Sequence, residues 1–443
     1  MDLIEDRLSA AMARITGNQL AVTALARLSG GANMESWSFD FGGRGYVLRR
    51  APSAEMMANR PFGHKVEAAI IRAACDSGVK APVIVGDLEP GDGLGTGYIM
   101  DRVEAEVNPA KILAEPPPSL IGDLARELAR IHAIPVAALP DLPVMNTAGA
   151  LAELKTRFFA YGGDRPIIAL AIKWCEDHLP DTAPLALVHG DLRMGNVMVD
   201  GHGLAAVLDW ELAHLGDAHE DLAYGCMSVW RFGHIDKPAF GCSSLETYFA
   251  AYEAAGGIPV DRARFRFWLI YRTLWWALGC IQMGDMWRTG IDRSLERAVI
   301  GRRTSENETD LLLLLEEDAP ETQRLAIRLE EPPAPRRQGE PSAVELLEAV
   351  RNWVDADIKS KAQGREKFMA AVAMNALGML IREASNPVNV HDKTLSDDLL
   401  AGRLTLATPG LLARLRKMTL AKLANDAPKY ATLAKAREIW GAG

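Results

Sequence analysis

One stretch constrains this chain more than any other. His189-Gly190-Asp191-Leu192-Arg193-Met194-Gly195-Asn196 is followed, after a short interval, by Val207-Leu208-Asp209-Trp210. A short apolar run, Leu185 to Val188, leads into it. Asn196 to Val199 reads as a strand, Asp200-Gly201-His202-Gly203 as a turn, and Leu204 to Leu208 as a returning strand. Short apolar runs around a Gly-rich turn predict a hairpin, and this one would carry Asp209 back beside Asn196. Asp and Asn residues often do no more than cap a turn. The full pattern, HGDxxxxN followed by a hairpin and an Asp before Trp, is far narrower. It supplies a carboxylate for an acceptor hydroxyl, then an amide oxygen and a second carboxylate for Mg²⁺, the groups that phosphoryl transfer requires. Mg²⁺ takes oxygen ligands. Asp191 is therefore the candidate catalytic residue, and Asn196 and Asp209 are the candidate metal ligands.

The residues before this stretch predict a β-rich beginning. Residues 1 to 20 read as an amphipathic helix and Leu25 to Leu28 as a strand entry. Trp37 to Phe41 alternates, Gly42-Gly43 turns, and Tyr46 to Arg49 returns. Gly30 and Gly31 form a segment whose backbone N–H groups can approach a phosphate closely. No GxxxxGK[ST] loop occurs, and the Gly-dense run from Gly91 to Gly97 reads as a hairpin tip. Val66, Ala69, Ile70 and Ala73 share one helical face, and Glu67 is the acid among them. Arg50 reads as a solvated charge at a strand end.

At 443 residues the chain has room for two or three domains. Its formal net charge of −9 argues against a nucleic-acid surface. Five cysteines without a CxxC pair read as reduced thiols and a cytoplasmic setting. No signal peptide is evident. Phe265 to Met283, the most apolar long segment, contains Arg266 and Arg272, so it reads as a buried helix and no membrane association is expected.

The motif residues resemble those of the aminoglycoside phosphotransferase and choline kinase-like family. The likeness covers about residues 20 to 315, and it is closest to the branch that includes the kinase-like domain fused to some acyl-CoA dehydrogenases. The resemblance implies an α+β, bilobal protein-kinase-like fold: an antiparallel β N-lobe over residues 1–105 and a mostly helical C-lobe over 106–330. It makes Asp191 the catalytic base and Asn196 and Asp209 the metal ligands. It aligns Arg49 with a strand lysine that holds nucleotide phosphates, a departure from the wider pattern, and selects Glu67 as its helical partner. It makes Tyr98 to Val103 an inter-lobe hinge, with Met100 and Val103 against adenine. His132 and His189 become structural supports. Asp217 and Asp221 fall in the region after the metal-binding aspartate, where Asp221 would cap a helix and brace the catalytic loop. His214 and His219 lack metal-ligand spacing and read as loop residues.

Beyond Glu331 to Pro341, a Pro-rich linker by composition, residues 342–443 read as an all-helical domain. Its helices are expected near residues 343 to 354, at Phe368 to Ile381, at Leu395 to Ala407 and at Leu411 to Trp440. The expected activity is ATP- and Mg²⁺-dependent phosphorylation of a small-molecule hydroxyl, a hydroxy acid or hydroxyacyl thioester being the acceptor suggested by the dehydrogenase-fused branch. The Arg- and Trp-rich segment from Arg264 to Trp276 leans away from polycationic acceptors. The alternatives are an aminoglycoside phosphotransferase and a nucleotide-binding pseudokinase scaffold. The helical domain would serve in self-association, in partner docking or as a substrate lid.

Overall fold

The computed structural model describes residues 2–28, 34–53, 57, 60–324 and 342–441. Its small lobe is a five-stranded antiparallel sheet of β1 (Thr23–Arg27), β2 (Glu35–Phe41), β3 (Arg44–Ala51), β4 (Ile84–Asp87) and β5 (Thr96–Asp101), in the order β1-β2-β3-β5-β4. β2 and β3 are joined by Gly42 and Gly43 at φ +60° and +79°, a two-residue hairpin turn that needs left-handed backbone at both positions. Helix α1 (Asp2–Thr16) covers one face of the sheet, packing Leu8, Ala11 and Met12 against Phe39, Phe41 and Leu48. Helix α2 (His64–Asp76) lies on the other face, where Ile71 and Ala74 share a core with Tyr98. Side chains alternate along a strand. With Leu48 facing α1, Arg49 faces α2 and the cleft.

Arg50 is not solvated. β3 lies between β2 and β5, and Arg50 pairs in register with Glu35. Its Nε donates to Glu35 Oε2 at 2.9 Å and its Nη1 to the Leu94 carbonyl at 3.2 Å. A central strand has no wet flank, so its terminal charge is met by the acid opposite.

The large lobe begins where Asn108 caps α3 (Pro109–Ala114). α4 (Leu120–His132), α5 (Thr147–Ala160) and α6 (Pro166–Asp177) precede two small antiparallel ladders. β6 (Ala186–Val188) pairs with β9 (His214–Gly216), and β7 (Val197–Asp200) pairs with β8 (Gly203–Val207). The expected hairpin is thus β7–β8, and His214 lies in a strand, not a loop. α7 (Ala218–Tyr224), α8 (Leu245–Ala254), the 28-residue α9 (Arg262–Thr289), α10 (Leu295–Arg302) and α11 (Thr304–Leu315) complete the lobe. Among the described residues, no helix is long and apolar enough to cross a membrane.

After residue 342 come α12 (Ala343–Trp353), α13 (Gly364–Ser385), α14 (Lys393–Leu400), α15 (Leu411–Asp426) and α16 (Ala431–Ile439). The expected helix from Leu395 to Ala407 stops at Leu400, and the one from Leu411 to Trp440 breaks at Ala427-Pro428, since proline cannot supply the amide a continuing helix needs. α14 packs on α6, and α15 and α16 pack on α11, so that Leu399, Leu415 and Trp440 belong to the same apolar core as the large lobe. This explains α11, whose first half is polar yet buried from Thr304 to Asp310. Arg165 Nε holds Glu308 at 2.8 Å and the Tyr430 hydroxyl donates to Asp310 at 2.6 Å. Glu316, just beyond, receives Arg416 Nε at 2.9 Å and Trp440 Nε1 at 2.8 Å.

Trp440→Ala should therefore cost about 3–5 kcal/mol, the range for truncating a buried aromatic. Urea unfolding followed by near-UV circular dichroism reads this directly, and an unchanged midpoint would uncouple the terminal helices from the large-lobe core.

Candidate active site

The loop between β6 and β7 is fixed from beneath by one carboxylate. Asp221, fully buried in α7, accepts from the His189 amide at 2.6 Å and the Gly190 amide at 2.9 Å, and lies 3.3 Å from His132 Nε2. Burial works against this charge, but the hydrogen bonds from His132 and the Gly190 amide hold the pKa below the usual carboxylate value. The helix cap is instead Asp217, which accepts from the His219 amide. His132 is held in turn by the Tyr252 hydroxyl at 2.8 Å. Gly190 sits at φ +80°, where a Cβ would meet the Leu212 carbonyl oxygen at 2.5 Å, so only glycine fits. Arg272 of α9, also buried, donates to the Gly190 carbonyl and lies 3.3 Å from Glu220.

His189 lies under the loop with its ring 4.6 Å from that of Trp210. Burial pushes its pKa down, which favours the neutral ring. Its Nε2 lies 3.1 Å from the Leu208 carbonyl and its Nδ1 3.3 Å from the Asp191 amide, so the proton belongs on Nε2. The ring thereby ties the start of the loop to the residue before Asp209.

Asp191 and Asn196 are in direct contact. Asn196 Nδ2 donates to Asp191 Oδ2 at 2.6 Å and to the Asp191 carbonyl at 2.9 Å. With its NH₂ so engaged, the Asn196 Oδ1 atom is left for another partner. The Leu208 amide donates to the Asn196 carbonyl at 2.8 Å, which brings the end of β8 beside the loop. Asp209 follows at φ +66°, a left-handed backbone that few non-glycine residues adopt and that Asp tolerates better than most. Such strain concentrates at functional sites.

Between the lobes, Arg49 serves three carboxylates. Its guanidinium lies 3.3 Å from Glu67, 2.7 Å from Asp209 and 2.8 Å from Glu211. Burial opposes its charge, but Glu67 and the other surrounding groups raise its pKa above the ordinary arginine value. Glu67 also accepts from the Tyr98 hydroxyl at 3.1 Å, and burial pushes its own pKa up against the pull of Arg49. Arg60 caps the cluster by pairing with Glu211. Glu211 and Arg60 were not candidates from sequence. The only available signal for Glu211 was its position two residues past Asp209, and Arg60 had none, because its partner is 151 residues away.

Met100 pairs with Val47 near the end of β5, the amides of Asp101 and Arg102 donate to the carbonyls of Val83 and Gly45, and Val103 follows two residues past the strand. Gly30 and Gly31 lie outside the described residues. The arginines of α9 are committed within the fold: Arg264 to Asp217 at 2.8 Å, Arg266 to Asp318 at 2.9 Å and Arg272 to the loop. They give no reason to exclude a cationic acceptor. Arg193, which sequence reasoning passed over inside the motif, lies on the acceptor carboxylate itself. Its Nε donates to Asp191 Oδ1 at 3.1 Å, and its guanidinium stacks over Trp230 at 4.5 Å.

A two-lobed kinase-like fold with this loop, and with a charge cluster bridging its lobes, defines a small-molecule phosphotransferase. The chain belongs to the phosphotransferase enzyme family, whose model matches residues 24–268. It is 28% identical over 247 residues to mouse acyl-CoA dehydrogenase family member 10, a match that covers 50% of this chain and 23% of that protein. It is 26% identical over 275 residues to chicken acyl-CoA dehydrogenase family member 11, covering 56% of this chain and 34% of the relative. The chain thus spans about a quarter to a third of the length of these curated relatives. Among solved structures, a Ralstonia eutropha protein provisionally named an aminoglycoside phosphotransferase shares the fold, with a TM-score of 0.57 and 21% identity over 70% of this chain and 98% of that one.

Asp221→Ala should cost about 3–5 kcal/mol, because it leaves two buried amides and His132 without their shared acceptor. Asp221→Asn, which keeps one acceptor oxygen, should lose less. Chemical denaturation of the two variants beside the wild type would show the order, and equal midpoints for all three would rule out the anchoring role.

Proposed function

We propose that the chain transfers a phosphoryl group from Mg·ATP to the hydroxyl of a small hydroxy acid or hydroxyacyl thioester. The observation that carries the reading is the Asp191–Asn196 contact, with the left-handed Asp209 tied back to it through Leu208. In it, Asp191 accepts the proton of the acceptor hydroxyl or orients it, at the separation that the loop's own hydrogen bonds fix. Asn196 Oδ1 and the Asp209 carboxylate are hard oxygen donors, and they suit Mg²⁺. Bound there, Mg²⁺ would neutralise charge on the transferring phosphates. Arg49, positioned by Glu67, holds the α- and β-phosphates. The Arg49 fork can bind phosphate oxygens bidentately, a geometry lysine lacks. Glycines 30 and 31 would approach the phosphates, and the backbone from Met100 to Val103 would receive the adenine.

Arg193 supports an anionic acceptor. Its Nε lies 3.1 Å from Asp191 Oδ1, which meets its charge in the free site, and its remaining N–H groups can pair a substrate carboxylate beside the proton-accepting oxygen. The sequence likeness to acyl-CoA dehydrogenase family members 10 and 11 supports an acyl-type acceptor as well.

ADP release from Mg·ATP across hydroxy acids, hydroxyacyl thioesters, amino alcohols and aminoglycosides tests this reading. Turnover with an acidic or acyl acceptor should fall by about 10²–10⁴-fold in Asp191→Asn. Arg193→Ala should raise KM for acidic acceptors more than for neutral alcohols. Preference for aminoglycosides would replace the acceptor assignment, and Mg·ATP binding without turnover on any acceptor would favour a scaffold. Arg49→Lys should weaken Mg·ATP binding, measured by calorimetry, and an unchanged affinity would remove Arg49 from the phosphate site.

A further inference from the structure

A cavity lies away from Asp191, between the large lobe and α16. It encloses about 970 Å³, the upper end of the range that accommodates small organic ligands. Its apolar wall comes from Phe265 and Leu269 on α9 and from Leu313 and Leu314 on α11. Against this wall stand the cations Arg231, Arg324 and Lys435, none of which has a carboxylate within ion-pair distance among the described residues. Arg231 is buried, and its guanidinium donates only to carbonyls, those of Cys226 at 3.0 Å and Ile235 at 3.3 Å. Carbonyls satisfy its N–H groups without cancelling its charge.

Two further buried polar groups stand in the wall. Asp310 is 3% exposed and Thr432 is 1% exposed, and the Thr432 hydroxyl lies close enough to the Asp310 carboxyl to act on its charge. Burial raises the Asp310 pKa to about 7, so near neutral pH a large share of it is the protonated acid, able to donate. Of the other acids in the lining, Glu316 is met by Arg416 and Glu317 by Arg266, which leaves Glu321 at the rim, so a neutral Asp310 keeps the wall around Arg231 cationic.

We infer that this cavity is a binding site for an amphipathic organic anion: an apolar chain seated against α9 and α11, with its charged end toward Arg231, Arg324 and Lys435. Ser228 and Arg231 of the wall flank Trp230, whose ring carries the stacked Arg193 of the catalytic loop. The site is therefore distinct from the Asp191 cleft but shares a wall segment with it. Its occupancy does not depend on the kinase reading.

Isothermal titration of the nucleotide-free protein with decanoate, and with decanol as the uncharged chain, tests the inference. Decanoate should saturate one site per chain and bind at least about tenfold tighter than decanol, a difference of about 1.4 kcal/mol. Lys435→Glu, on the exposed face of α16, should weaken decanoate about tenfold and leave decanol unchanged. Leu313→Trp, which fills the apolar wall, should weaken both. If Leu313→Trp does not fold, Lys435→Glu decides alone. No saturable decanoate binding, equal affinity for the two chains, or decanoate binding indifferent to Lys435→Glu would each overturn the inference.

Discussion

A carboxylate with no water around it must be surrounded by donors, and the active site is built on that requirement. Asp221 is inaccessible to solvent, so its charge has to be met by N–H groups inside the fold. The amides it recruits are those of His189 and Gly190. The loop's entry is thereby fixed, and the positive φ of Gly190 and the hydrogen bond from Arg272 fix its direction. Asp191 and Asn196 then face each other because the backbone leaves them no alternative. The neutral ring of His189 extends the same frame to Leu208, and through it to Asp209. The chemistry-bearing residues are positioned by groups that never touch substrate.

The second organising interaction joins the lobes. One guanidinium reaches three acids that come from three different places in the chain: the helix after the hairpin, the end of β8 and the turn beyond it. A lysine ammonium is a single point and could not span Glu67, Asp209 and Glu211 at once with defined geometry, whereas the five N–H groups of arginine can. Arginine in place of the expected lysine thus fits the local acid count. Glu211, with Arg60 as its second partner, is the added element that makes this arrangement coherent.

The sequence was legible where chemistry is contiguous. The loop from His189 to Asn196, the hairpin and Asp209 lie within 21 residues, so their spacing alone implied that they converge. The β2–β3 hairpin was legible for the same reason, through Gly42-Gly43 and the alternation of Trp37 to Phe41. What escaped notice was non-local. Arg50 looks like a surface charge until Glu35 is seen opposite it. Arg60 acquires meaning only when the lobes meet. The α9 arginines resembled a pocket lining because their partners, Asp217, Asp318 and the Gly190 carbonyl, are distant in sequence. In the terminal helices the apolar periodicity continued across Ala427-Pro428, and the pattern concealed a break that proline chemistry requires.

The buried polar half of α11 carries a consequence for the independence of the large lobe. Glu308 and Asp310 are shielded by Arg165 on one side and Tyr430 on the other, and α6 packs on α14 across more than 200 residues of intervening chain. Contacts of such long range carry a loop-closure entropy cost that their burial must offset. Without α14 to α16, α11 would still pack on α9 and α6, but Asp310 and Glu316 would lose Tyr430, Arg416 and Trp440, the partners that meet them in the folded chain. The large lobe thus owes the solvation of its own buried acids to helices that contribute nothing to the catalytic loop.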